Sequence, residues 1–302
     1  MEVESKPRGS RLRSRKLPVI LLALTCLSTF FAGACMWRPE FFVQQGGLRV
    51  RQTLIAHWDD GLIYMACVIG ILFTHEMGHF LATIKYRVPS SLPFFIPLPI
   101  QPTGTLGAVI AMDGRVADRK QIFDIGIAGP LAGLAVALPV IWIGVLNADL
   151  DKPVVGQVML ECPLAMRWML SVAHPGSYHG QFIAISQMNP YLMAGWFGAV
   201  ITGLNMMPVS QLDGGHVLYT VFGKRYAGWF VAVFMVSAAA YVSFFASIWW
   251  LMLTLVTMIG VYHPPTSDDS VELGKFRVLL GCLSLSIPFL FFPPVGIKFL
   301  EM

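Results

Sequence analysis

The chain has 302 residues, of which 56% are hydrophobic and 13% charged, with a formal net charge of +4 and a mean hydropathy of +0.66. A soluble domain carries about 25% charged residues, so this composition excludes an ordinary soluble enzyme and describes a polytopic membrane protein. The charge is informative by place: Lys6, Arg8, Arg11, Arg13, Arg15 and Lys16 precede the first apolar run, which predicts a cytoplasmic N-terminus by the positive-inside rule and no role in nucleic-acid binding.

Residues 1–16 read as a basic, disordered cytoplasmic tail. Leu17–Trp37 is a first span, too long for a signal-peptide core and therefore expected as an uncleaved signal anchor; with the mixed loop Arg38–Asp60 it forms an N-terminal unit over 17–60. Gly61–Ile84 is the second span, and Lys85 and Arg87 place its C-terminal end on the cytoplasmic side. The prolines of Pro89–Pro102 forbid a regular helix, and the segment is too apolar for a surface loop. It is expected to be re-entrant and shielded by protein. Gly104–Met112 predicts a short strand, one arm of a hairpin, and Asp113–Lys120 a polar cytoplasmic turn. Ile122–Leu146 is the third span, with a kink expected at Gly129–Pro130.

Asn147–Asn189 reads as a long loop on the opposite side containing interfacial helices. Tyr191–Met207 is the fourth span and stops at Pro208. Lys224 and Arg225 mark the next cytoplasmic turn. Gly228–Tyr262 is too long for one upright span of about 20 residues and predicts two short spans meeting near Ser247; one long tilted helix would instead move His263 to the other side. Val278–Val295 is the last span, interrupted by Pro288. The expected fold class is an all-α polytopic membrane protein of about six to seven transmembrane helices with a small β-hairpin or re-entrant segment, divided into a central stretch over 61–215 and C-terminal spans over 216–302. No internal repeat is evident. Cys26, Cys35, Cys67, Cys162 and Cys282 show no CxxC spacing, so neither a disulfide framework nor a cysteine-bound metal is expected.

The residues that carry chemistry are His75-Glu76-Met77-Gly78-His79. HExxH on a helix sets two imidazoles one turn apart on one face, able to share one Zn²⁺, with the glutamate beside them as general base. The motif alone is a weak signal. Its setting strengthens it, because His, Glu and His inside a hydrophobic span are costly without a function. Catalytic zinc takes three protein ligands, and the candidate third is Asp213 in Asn205-Met-Met-Pro-Val-Ser-Gln-Leu-Asp-Gly-Gly215. There an acidic residue follows a hydrophobic helix, and Gly214–Gly215 lets the backbone turn.

HEMGH in one span and NMMPVSQLDGG in a later one resemble the site-2 protease family of intramembrane zinc metalloproteases, and GTLGAVIAMDG…FDIGIAGPLAG is similar to its bacterial and plastid branches. The resemblance covers roughly Gly61–Gly215, with a weaker match at His263–Thr266. It implies a three-helix core from spans two, three and four, one Zn²⁺ per chain held by His75, His79 and Asp213, Glu76 as general base, and Asn205 beside the scissile carbonyl or the substrate backbone. No PDZ insertion or CBS domain is expected. The implied activity is endopeptidase cleavage in or near transmembrane segments of membrane proteins, in a bacterial inner membrane or an organellar membrane. The partners are then a transmembrane protein substrate and the bilayer.

A helical substrate must unwind before hydrolysis, because its peptide groups are tied into the helix ladder. Gly104, Thr105, Leu106, Gly107 and Ala108 are a candidate edge for pairing with the unwound strand, with Phe94 and Phe95 as a wall beside it. His57, His174 and His179 are expected to be solvated. His216 reads equally as a partner behind the metal ligands or as a surface residue, and His263 as a helix terminator in preference to a residue that gates or lines the site. Trp229, Trp249, Trp250 and Tyr226 read as interfacial anchors. Two other readings compete: a transporter or relay whose buried His and Glu move protons or metal, and a zinc protease of another family with a glutamate ligand. No glutamate lies in a later span, which disfavours the latter.

Overall fold

The computed structural model describes residues 16–36, 47–209, 211–260 and 263–299. Most of the basic tail therefore lies outside the described residues. Helix α1 (Lys16–Phe31) continues into a π-helical turn at Ala32–Met36. Part of the expected loop before the second span is helical, as α2 (Gly47–Ala56), and α3 (Trp58–Tyr86) carries HExxH. Helix α4 (Arg119–Leu146) opens on a capping box, in which Asp118 Oδ1 accepts from the Gln121 N–H and Gln121 Oε1 from the Asp118 N–H. It stays one helix across Pro130 and Pro139.

Helix α6 (Pro190–Asn205) starts with Asn189 capping the Leu192 N–H and with proline at its first position. Helices α3, α4 and α6 pack on one another. Small residues allow the approach: a Cβ on Gly195 would lie 2.5 Å from Ile141 Cγ1, and one on Gly198 2.9 Å from Ile71 Cδ1.

Four helical stretches among the described residues are long and apolar enough to cross a membrane: Lys16–Cys35, Trp58–Tyr86, Arg119–Leu146 and Asp213–Phe244. The other expected spans are shorter or interrupted helices. The fourth expected span is a 16-residue helix, α6, buried along most of its length. The stretch Gly228–Tyr262 does break at the expected place: α7 (Asp213–Phe244) ends, a 3₁₀ turn at Ser247–Trp249 follows, and α8 (Trp250–Ile259) has ten residues. Helix α7 is itself interrupted at Gly223, φ 76°, just before Lys224 and Arg225. The last expected span is two short helices, α9 (Lys275–Ser284) and α10 (Ile287–Phe291), with Pro288 in the first turn of the second.

Small sheets accompany the helices. Strands β1 (Phe94–Pro97) and β2 (Thr105–Val109) form an antiparallel hairpin with an irregularity between Ile96 and Pro97, so the proline-rich segment contributes a strand. At its turn Gly104 has φ +73°, and a Cβ there would lie 2.7 Å from Ser28 O and Thr29 Cα of α1. Only glycine satisfies both the backbone and the space.

The stretch Asn147–Asn189, expected as a loop, is a folded lobe. Strands β3 (Val158–Glu161), β4 (Phe182–Ala184) and β5 (Ile297–Phe299) form a sheet in the order β4-β3-β5, beside α5 (Leu164–Ala173). Buried Glu161 holds it: Oε1 accepts from Arg167 at 2.6 Å, Oε2 from the Val295 and Gly296 N–H groups at 2.6 and 3.1 Å, and its backbone O from Trp196 Nε1 at 2.7 Å. Burial pushes the neighbouring Cys162 thiol up to about 12.

Candidate metal centre

His75 and His79 lie one turn apart on α3, and Asp213 is the first residue of α7. The Asp213 position follows from close backbone packing. A Cβ on Gly214 would collide with Met206 O, so glycine there lets the start of α7 rest on the end of α6. His75 Nε2 is 3.2 Å from His79 Nε2 and 3.2 Å from Asp213 Oδ2, and His79 Nε2 is 3.3 Å from Asp213 Oδ1.

His79 Nδ1 lies 2.7 Å from Ile125 O. A carbonyl only accepts, so Nδ1 carries the proton and neutral His79 turns a bare Nε2 lone pair toward the other two groups. Asp213 Oδ2 is buried and makes no hydrogen bond despite its nearness to His75. The Nε2 atoms of His75 and His79 and a carboxylate oxygen of Asp213 converge on one another, an arrangement whose polar groups a cation would satisfy together. The spacing fits one: ligands about 2.0–2.1 Å from a tetrahedral zinc are about 3.3 Å apart. His75, His79 and Asp213 could therefore hold a single ion.

Glu76 is 5% exposed, has no hydrogen-bond partner among the described residues, and lines the same cavity of about 180 Å³. The cavity wall includes Ala108, Val109, Asn205, Gln211 and His216. The Asn205 amide nitrogen is 3.4 Å from His75 Nε2. Of the expected edge, Ala108 reaches the cavity, a Cβ on Gly107 would lie 3.6 Å from Ile201 Cδ1, and Gly104 belongs to the turn beneath α1. His263 lies behind this wall, against His216. Its Nε2 is 2.6 Å from His216 Nδ1, its ring stacks on Tyr219 at 4.3 Å, and Tyr219 donates to Asp269 at 2.8 Å. His263 Nδ1 also donates to Pro264 O, and burial holds the imidazole below its ordinary pKa. Beyond the helix-terminator reading, His263 thus serves as a packing partner of His216 and Tyr219.

Sequence reasoning gave no role to a glycine stripe on α4. A Cβ on Gly129 would run into the His79 imidazole, one on Gly133 would lie 3.0 Å from His75 Nδ1, and one on Gly126 2.9 Å from His216 Cβ. Across the contact, a Cβ on Gly78 of HEMGH would meet Ala128 O at 2.5 Å. The HExxH face lies directly on α4 through these residues. The spacing of small residues at 126, 129 and 133 in an apolar helix was the available signal.

An HExxH helix in an apolar bundle, with a distant aspartate closing a three-donor cluster, is the kind of arrangement that a metallopeptidase centre uses. Residues 63–250 match the Peptidase family M50, and the chain belongs to that family, the site-2 proteases. It is 35% identical over 179 residues to a rice protein named "Probable zinc metalloprotease EGY1, chloroplastic", covering 57% of this chain and 30% of that protein. To the Arabidopsis protein of the same name it is 30% identical, covering 76% of this chain and 42% of the relative. To Arabidopsis "Probable zinc metalloprotease EGY2, chloroplastic" it is 28% identical, covering 79% and 42%. The chain spans less than half the length of these relatives.

Proposed function

We propose that this chain is an intramembrane zinc endopeptidase that hydrolyses peptide bonds in or near transmembrane segments of membrane proteins, with one zinc per chain. The observation that carries the reading is the set of three donor atoms at tetrahedral spacing beside the buried Glu76 carboxylate in one cavity. His75, His79 and Asp213 are the ligands, and bound zinc supplies Lewis acidity toward water and the scissile carbonyl. Glu76 takes the proton of the attacking water and delivers it to the leaving amine. The Asn205 amide donates toward the carbonyl oxygen as negative charge grows there, or holds the adjacent substrate backbone. His79 is kept in the useful tautomer by Ile125 O. Strand β2 pairs on one side with β1, and its end passes the cavity. The unwound substrate adds along it by main-chain hydrogen bonds.

Ligand positions on α3 are deep: His79 is about 10 Å along the helix from Tyr86 at 1.5 Å per residue. The cations Lys85, Arg87, Arg119 and Lys120 sit at that end of the bundle, so the centre opens toward the side that is cytoplasmic in a bacterium or its organellar equivalent. The chloroplastic relatives favour an organellar membrane.

Detergent-purified wild type, Glu76→Gln and Asp213→Ala, tested for metal content and for cleavage of co-expressed tagged single-span proteins, decide the reading. Wild type should hold about one zinc. Glu76→Gln should keep it while losing roughly 10²–10⁴-fold in rate, and Asp213→Ala should lose the metal. Undiminished cleavage by Glu76→Gln, or full metal in Asp213→Ala, would overturn the assignment.

A further inference from the structure

The end of the bundle that carries Lys85, Arg87 and Arg119 also carries the break in α7. The Arg119 guanidinium donates to Thr220 O at 2.7 Å and to Val221 O at 3.4 Å, fixing the first turn of α4 against α7 just before Gly223. Nearby, Arg277 is committed to Asp124 through bonds of 2.7 and 2.9 Å. Lys224 and Arg225, immediately after the break, differ: both are exposed, and among the described residues neither has a carboxylate partner.

These two cations border a cavity of about 500 Å³ whose wall includes Leu218, Tyr219, Ala227, Val231 and His263. That volume is in the range of a small-ligand site. The adjoining side chains Tyr226, Trp229, Phe230 and Val233 are exposed on α7, a helix apolar enough to face hydrocarbon. A pair of unneutralised cations at the aqueous end of a membrane helix, above an apolar slot, asks for a ligand that is anionic at one end and aliphatic along its length. A soluble anion would leave the apolar wall unused, and an acidic peptide would find few polar groups for its backbone.

We propose that this cavity binds an anionic phospholipid, with the headgroup phosphate on Lys224 and Arg225 and acyl methylenes against Leu218, Ala227 and Val231. The site rests on membrane embedding and not on the peptidase chemistry. It nonetheless adjoins the catalytic cavity, because Gly215 and His263 line it, and His263 hydrogen-bonds His216.

Native mass spectrometry of the detergent-purified chain, offered phosphatidylglycerol and phosphatidylcholine of equal chain length, tests this. Wild type should retain phosphatidylglycerol roughly tenfold better. The variant Lys224→Gln/Arg225→Gln should lose that preference. Lys85→Gln/Arg87→Gln, at the same end but outside the cavity, should keep it. Ala227→Phe, which fills the slot with both cations intact, should also lower retention and covers the case in which the charge variant fails to fold. Excess glycerol phosphate should leave the lipid bound. Equal retention of the two lipids by wild type, displacement by glycerol phosphate, or equal losses in the two charge variants would overturn the site.

Discussion

Gly129→Ala adds one methyl group where α4 meets the HExxH helix. On the native backbone that methyl overlaps Nε2, Cδ2 and Cε1 of the His79 ring. Gly133→Ala is its natural control: there the methyl lies 3.0 Å from His75 Nδ1 and 3.1 Å from His75 Cβ. Both changes replace a mid-helix glycine, so both gain about 1 kcal/mol of helix propensity, and that term cancels in the comparison. Packing decides. At Gly133 a shift of a few tenths of an ångström relieves the contact, at a cost no larger than the propensity gained. At Gly129 the ring must leave. It cannot swing freely, because Nδ1 is bonded to Ile125 O at 2.7 Å. Overpacking of this kind costs about 1–3 kcal/mol, and losing the hydrogen bond adds about 1 kcal/mol. With His79 displaced, zinc affinity should fall at least ~100-fold, the upper end of the effect of disturbing a ligand's support. Gly133→Ala should stay within about tenfold. Chelator competition on detergent-purified protein gives the affinities, and thermal unfolding in parallel shows that each variant is folded. A folded Gly129→Ala protein binding zinc as tightly as wild type, or a Gly133→Ala protein binding it more weakly than Gly129→Ala, would refute the idea that this stripe seats the imidazoles.

Two further expectations follow from other parts of the fold. A photo-crosslinking residue at Ala108 should capture a transmembrane substrate in the Glu76→Gln background, whereas the same probe at Trp168, on the outer face of α5, should not; equal capture would remove the edge role of β2. Glu161→Ala should destabilise the lobe by about 3–5 kcal/mol, because it strands the Arg167 charge and two backbone N–H groups in a buried setting. The readout is a lowered melting temperature with early proteolysis near Val295, and an unchanged melting temperature would show that the sheet is held some other way.

The metal cluster was legible because its ligands are coded by residue type and spacing: HExxH fixes its own geometry on a helix, and Asp213 stands out as an acid after an apolar helix. The turn at Lys224 and Arg225 was legible too, since paired cations interrupt an apolar run, and so was the break near Ser247, from a run too long for one upright span. The lobe over 147–189 was not. Its strands are three or four residues long, too short to show a period, and β3 is completed by β5 from the far end of the chain. The glycine stripe needed knowledge of which face of α3 meets α4, and periodicity does not give that. His263 depended on topology: its side of the membrane turns on whether the chain breaks at Ser247.

Helix length and hydropathy alone also leave the number of spans open, for a more general reason. Hydropathy measures the cost of removing a segment from water, and it is blind to whether lipid or protein replaces the water. Helix α6 is apolar because protein surrounds it: Leu192, Ala194 and Ala199 are fully buried. The second half of α7 is equally apolar with Trp229, Val233 and Val236 turned outward. A helix enclosed by its neighbours need not match the bilayer's thickness, so α6 can be short and still carry Asn205 to the depth of the metal centre. Its length is set by where its last turn must meet His75, and that constraint leaves no trace in its hydropathy.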